Sequence, residues 1–326
     1  MAKCYLSGDI GGTKTLLRVQ AGDAVLLQQS YPSAEYAGLE DILAVFLREA
    51  GHPTVDAACL AIAGPVFGRQ VQLTNLPWVV DADALAARFG FRALELINDF
   101  AAVGHGVAVL TPADMLTLQG GESEPQGIRV VLGAGTGLGV AWMSWQGDGY
   151  AVHGSEGGHI DFAPADELQY ALLRYLQQRY GHVSYERIVS GPGIVAVYEF
   201  LRDSGRGVPS AALAAAIGSG EGAAAITRFA GLGEAIAGRT LELFVDTYSA
   251  FAGNLALIAL PRGGLYIAGG IAAKMAERIQ DGRFLQAFQA KGRYEGLMQR
   301  IPVHLVTNPH IGLLGAAAVA VRLGAV

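Results

Sequence analysis

The run Tyr5-Leu-Ser-Gly-Asp9-Ile-Gly-Gly-Thr13-Lys-Thr-Leu-Leu-Arg18 constrains this chain more than any other. A short apolar segment ends at Asp9, two glycines and a threonine follow, and a second apolar segment begins at Leu16 and is stopped by Gly22-Asp23. The pattern predicts strand, tight turn, strand. Gly11 and Gly12 are expected to take positive φ and to let backbone approach a ligand closely. Their N–H groups would then form a concave nest for an anion. Asp9 stands at the mouth, where a carboxylate can hold Mg²⁺ directly or through water, and Thr13 can donate its hydroxyl to a phosphate oxygen. Gly8 to Thr15 nearly fits a Walker A loop, but that motif needs glycine where Thr13 stands and a long helix afterwards. A dinucleotide-binding turn fails because no helix follows. An ordinary glycine hairpin is the plain alternative.

With 326 residues, 52% of them hydrophobic and 16% charged, the chain can build two domains or one large one. A net charge of −6 argues against nucleic acid or an anionic membrane as partner. Cys4 and Cys59 each lie in an apolar run and read as reduced core residues of a cytoplasmic protein. There is no Cys-x-x-Cys pair for a structural zinc. The first residues lead almost directly into a strand, so neither a secretory leader nor a DNA-binding helix pair is expected. The longest apolar tracts are too short for a bilayer.

Along the chain, strands and helices alternate, which predicts an α/β fold with a mixed sheet. Leu39, Ile42, Leu43, Phe46 and Leu47 recur at helical spacing, with Gly51 as the stop. Strands are expected at 58–63 and 93–97, with 71–78 strand-like and ending in a loop, and a short helix at 83–89. Asn98-Asp99 then falls at the carboxyl end of a strand, where α/β sheets collect ligands; one of the pair can equally cap the next helix.

A second glycine loop, Gly133-Ala-Gly135-Thr136-Gly137-Leu-Gly139, again sits between two apolar runs. It repeats the first hairpin and suggests two related halves serving one nucleotide. Next comes Glu156-Gly-Gly-His159. A Glu-x-x-His spacing can mark a metal site on a helix, but paired glycines disfavour a helix. A loop offering a carboxylate and an imidazole to a polyol fits better, with Asp161 as its tether. Helix is expected from Asp166 to Tyr180. Ser184 reads as a cap, and Glu186 as either a favourable charge at a helix start or part of the polyol site. Ser190-Gly-Pro-Gly193 reads as a turn, and 211–260 as helix with a wide apolar stripe. Gly264 to Gly270 reads as strand, glycine pair, helix. The apolar helix from Ile311 to Leu323 is expected to pack back on the first domain.

Gly8-Asp-Ile-Gly-Gly-Thr13, Asn98-Asp99-Phe100, Gly133–Gly139, Glu156-Gly-Gly-His159, Ser190-Gly-Pro-Gly193 and Ala268-Gly-Gly270 together, in this order, resemble the bacterial glucokinase family. The resemblance runs from near residue 3 to near residue 322. It implies a two-domain α/β fold of the sugar kinase, Hsp70 and actin type (ribonuclease H-like) with a central cleft, divided as 1–109 with 302–326 and 110–301. It implies ATP and Mg²⁺ as cofactors, glucose as substrate and a homodimer. Asp99 resembles the base for the sugar 6-hydroxyl. Asn98, Glu156, His159 and Glu186 resemble the sugar-holding residues, and Asn75 a further contact. Gly8, Asp9, Ile10, Gly11, Gly12 and Thr13 resemble one phosphate loop, Gly133, Gly135, Thr136 and Gly137 the other, and Gly269-Gly270 the adenosine turn. Related sugar kinases carry a cysteine-rich zinc loop after the histidine. Here Asp161-Phe-Ala-Pro164 stands in its place, so no zinc is expected. The competing readings are a kinase for mannose, fructose or an N-acetylhexosamine, a sugar-binding regulator, and an actin-like or Hsp70-like ATPase.

Overall fold

The computed structural model describes every residue except Met1, Pro65, Phe67, Thr74, Asn75 and Val326. The chain divides into two compact units: Met1–Ala113 with Gln146–Gly154 and His310–Val326, and Asp114–Trp145 with Ser155–Pro309.

The first unit opens on a meander of β1 (Cys4–Ile10), β2 (Lys14–Ala21) and β3 (Ala24–Pro32). Gly22 turns β2 into β3 at φ +57°. The sequence pattern did not indicate β3, whose residues are mostly exposed or partly exposed. Helix α1 (Leu39–Glu49) follows, and its five periodic apolar residues are all buried. Strand β4 (Ala57–Ile62) is buried throughout, as expected of a central parallel strand. The strand-like start of 71–78 belongs to β5 (Gln70–Gln72), which pairs with β6 (Val79–Asp81) in a small ribbon. Asp81 caps α2 (Ala82–Phe89) by accepting from the amides of Asp83 and Ala84. β7 (Leu94–Asn98) then leads into α3 (Asp99–Val107).

The sheet order is β3-β2-β1-β4-β7, with β1, β4 and β7 parallel. Ile10 pairs with Ile62, and Ile62 with Asn98, so these three strands end at one edge. One face buries Leu6, Ile10, Leu17 and Leu60 against Phe46 and its neighbours on α1. Phe46 is fully buried, and truncating it to alanine would cost about 3–5 kcal/mol.

The second unit contains β8 (Met115–Gln119), β9 (Arg129–Ala134) and β10 (Leu138–Trp145). β11 (Tyr150–Ser155) follows, most of it counted with the first unit. The helices are α4 (Glu167–Tyr180), α5 (Gly191–Asp203), α6 (Ala211–Gly218), α7 (Gly222–Gly231) and α8 (Ala235–Ala259). β12 (Gly264–Ala268) leads to α9 (Gly270–Lys274), α10 (Ala276–Gln280), α11 (Arg283–Gln289) and α12 (Glu295–Met298), and then β13 (Val303–Val306). β12 lies parallel to both β9 and β13, and β13 antiparallel to β8. β13 therefore belongs to the second sheet, and residues 302–309 fall in the second unit. Phe244, Tyr248 and Phe251 make α8 the core helix its stripe suggested.

The chain returns to the first unit as α13 (Ile311–Leu323), which packs on α3, β1 and β4. Ala316, Val319 and Ala320 meet Tyr5, Cys59, Ala61 and Ile97 on the second face of the first sheet.

Candidate active site

In the first unit the β1–β2 turn is closed by the Gly11 amide donating to the Lys14 carbonyl at 3.0 Å. Gly12 does not take the left-handed φ expected of it, and neither does Gly11. Glycine is favoured there because a Cβ would lie only 3.1 Å from that carbonyl. Since the Gly11 N–H is committed to the turn, the amides of Gly12 and Thr13 remain the candidates for an anion. Ser33, which no local pattern singled out, braces the turn. Its amide donates to the Thr13 carbonyl at 3.1 Å and its hydroxyl to the Gly11 carbonyl at 2.8 Å.

Gly8 has a packing reason: a Cβ would sit 2.7 Å from Leu60 Cδ2 and 2.9 Å from Leu17 Cδ2. Ile10 is buried beside it and anchors the turn to the core. Asp9 points to the opposite face. Burial pushes its carboxyl up from the ordinary value, and the Lys14 charge opposes that shift. A divalent cation would relieve the same penalty.

Asn98 caps α3. Its Oδ1 accepts from Phe100 N at 2.8 Å and Ala101 N at 3.1 Å, and its Nδ2 donates to the Gly64 carbonyl at 3.0 Å. The second Nδ2 hydrogen is what it can still offer a ligand. Capping therefore fixes the first turn, where Asp99 accepts from Phe100 N through Oδ1 at 2.9 Å. Asn75 lies outside the described residues.

In the second unit the β9–β10 turn is closed by Gly135 N donating to Gly137 O at 2.8 Å, and Gly191 N donates to Gly135 O at 2.8 Å. Gly133 lies within β9, opposite Gly139 and beside Ala268. Thr136 is exposed at the tip. Glu186 reaches this turn: its Oε2 accepts from Leu138 N at 2.9 Å, and a Cβ on Gly137 would lie 2.6 Å from that oxygen. His159 Nε2 stands 3.9 Å from Glu186 Oε2 and 3.8 Å from Glu156 Oε2. Glu156, His159 and Glu186 thus form one cluster. The segment Gly157–His159 is a single 3₁₀ turn laid on β10, and a Cβ on Gly158 would sit 1.9 Å from the Leu138 carbonyl oxygen. Asp161 holds His182 Nε2 at 2.7 Å and bridges to Ser184, tying the loop down.

Two sequence expectations change here. Ser184 makes no side-chain cap, and only a 3₁₀ turn, Tyr185–Arg187, follows it. Ser190 is the cap: its hydroxyl accepts from Gly193 N at 3.0 Å and donates to the Glu186 carbonyl at 2.7 Å. Gly191-Pro192-Gly193 is therefore the first turn of α5, and it locks the Glu186 backbone. Tyr185 anchors the same segment, stacked on Phe251 at 4.4 Å and bonded to Asn254. Gly269 sits at φ +90° with a Cβ position 2.6 Å from the Ala134 carbonyl, so the turn into α9 crosses the end of β9 in direct backbone contact. Gly270 opens α9 with free space around it.

Among the described residues no group of three or more His, Cys, Asp and Glu is placed to hold a metal ion. No helix among them is long and apolar enough to cross a membrane. Cys4 and Cys59 are free and buried.

The chain matches the family described as Glucokinase over residues 6–323. It is 44% identical over 338 residues to the glucokinase of Trichormus variabilis, covering 98% of this chain and 99% of that one. It is 42% identical over 347 residues to the glucokinase of Synechocystis sp., with 98% of each chain covered. The crystal structure of a glucokinase from an Antarctic psychrotroph aligns with a TM-score of 0.85 at 34% identity, covering 99% of this chain and 100% of that one.

Proposed function

Since this chain belongs to the glucokinase family, we propose that it transfers the γ-phosphoryl group of ATP to the 6-hydroxyl of glucose, giving ADP and glucose 6-phosphate. The observation that carries the reading is the edge of the first sheet. Register brings the Asp9 turn, Gly64 and Asn98-Asp99 to the same carboxyl end, with Asp99 held in a capped first turn.

In phosphoryl transfer the protein chiefly positions groups and stabilises charge. The amides of Gly12 and Thr13, and those of Thr136 and Gly137, are assigned to the phosphates, with Gly269-Gly270 at the adenosine. Asp9 suits Mg²⁺ because such an ion keeps several waters and phosphate oxygens and needs few carboxylates. The ion, when bound, neutralises charge on the phosphates. Asp99 accepts the 6-hydroxyl proton. Asn98 donates to the sugar through its remaining N–H. Glu186, with one oxygen engaged by Leu138, accepts a hydroxyl through the other, and Glu156 and His159 complete the sugar contacts. Asn75 is assigned a further contact on the family resemblance alone. The same resemblance supports a homodimer acting in glycolysis, and the two buried free cysteines fit a cytoplasmic protein.

The test is ATP turnover, read as ADP release, titrated with glucose with and without Mg²⁺. The same assay is run with mannose, fructose and N-acetylglucosamine. Turnover should need both glucose and Mg²⁺ and favour glucose over the panel. Equal ATP hydrolysis without any sugar would overturn the assignment.

A further inference from the structure

Helix α13 carries glycines for two different reasons. At Gly315 a Cβ would lie 1.8 Å from the Ala102 carbonyl oxygen and 2.6 Å from Gly106 N; at Gly106 it would lie 2.3 Å from the Ile311 carbonyl oxygen. There the backbones of α3 and α13 touch, and no side chain fits. Gly312 differs. Its φ is not left-handed, and the nearest atoms to a Cβ would be Asp9 Oδ2 at 3.3 Å, Asp9 Cγ at 3.7 Å and Val103 Cγ2 at 3.8 Å. The helix itself would gain from alanine, the better helix former. What alanine would crowd is a carboxylate oxygen.

Register explains why Asp9 is there. It pairs with Leu16 and Ala61, on the face of the sheet that α13 covers. The helix begins beside it, and His310 makes no side-chain cap. The positive end of the helix favours a carboxylate nearby. We propose that Gly312 is a positioning residue for the phosphoryl-transfer site, keeping one side of the Asp9 carboxylate uncrowded so that it can serve the metal–nucleotide. This rests on the reading of Asp9 as the Mg²⁺-side carboxylate. A methyl at 3.3 Å displaces Oδ2 by a few tenths of an ångström, and Mg²⁺ tolerates little departure from its octahedral shell.

The test compares Gly312→Ala, Gly312→Ser and Asp9→Asn with the parent protein. Three quantities are read: Tm without ligand, the extra rise in Tm given by ADP with Mg²⁺ over ADP alone, and the Mg²⁺ concentration for half-maximal turnover. For Gly312→Ala, Tm should hold or rise by about 1–3 °C. The Mg²⁺-dependent rise should shrink, and half-maximal Mg²⁺ should increase about 10-fold, as for other groups that orient a metal ligand. Glucose KM should move less than about twofold, since a group that only orients the metal ligand does not touch the sugar. Serine carries the same Cβ and should lose at least as much. A marked fall in Tm would make Gly312 a packing glycine and overturn the inference, as would unchanged Mg²⁺ dependence in Gly312→Ala while Asp9→Asn shifts it. Unchanged Mg²⁺ dependence in Asp9→Asn would instead remove Asp9 from the metal side.

Discussion

Glu186 separates structure from chemistry in one side chain. Its Oε2 accepts the amide of Leu138, a buried residue, at 2.9 Å, and its carboxylate is only 26% exposed. Glu186→Ala leaves that amide without its partner, at a cost of about 1–3 kcal/mol. In a unit of this size that corresponds to a Tm lower by about 4–8 °C if the loss is about 2 kcal/mol. Glu186→Gln keeps a carbonyl acceptor and should stay within about 1 kcal/mol of the parent. It nevertheless removes the charged acceptor proposed for a glucose hydroxyl, which is worth about 1.5–3 kcal/mol, or roughly 10–100-fold in affinity. Thermal unfolding and glucose titration of both variants read the two effects apart. If Glu186→Gln restores both Tm and glucose affinity, the side chain serves the β9–β10 turn alone. If Glu186→Ala keeps the parent Tm, the hydrogen bond to Leu138 is not a structural tie.

Gly269→Ala should destabilise by at least about 2 kcal/mol, because alanine is strained at φ +90° and its methyl would stand 2.6 Å from the Ala134 carbonyl; denaturant unfolding measures it. His105 is held neutral, its pKa lowered to about 4 by burial and then by the Arg322 charge. Its folded value lies below the unfolded one near 6.5, so the unfolded chain binds the extra proton. Stability should be complete above about pH 6.5 and fall as pH drops toward 4. The fall is at most about 3 kcal/mol, and nearer 1–2 with partial exposure. Unfolding at stepped pH should show this slope, and His105→Gln should flatten it.

What the sequence revealed followed from local chemistry. Glycine-rich turns between apolar runs marked both hairpins, and the 3.6-residue periodicity marked α1 and the stripe of α8. Long-range partners escaped it. Nothing near Glu186 announces Leu138, and nothing near Gly11 announces Ser33. Gly106 and Gly315 look like ordinary weak spots in helices until the two backbones meet. Ser184 and Ser190 are equally good caps by residue type, and only the helix that continues past Gly191 decides between them. β3 was invisible because Val25-Leu-Leu27 and Gln28-Gln-Ser30 form blocks rather than alternating, and Val25 and Leu26 are both 52% exposed. Positive φ at Gly11 was inferred from residue type, whereas the short Gly11–Lys14 turn needs close approach instead.

The central claim is that Asp99 takes the proton from the hydroxyl that receives the phosphoryl group. The direct measurement is glucose phosphorylation by Asp99→Asn at saturating ATP and Mg²⁺, with glucose affinity measured separately by calorimetry. Turnover should fall about 10²–10⁴-fold while glucose still binds within a few-fold of the parent. Near-parental turnover would contradict it.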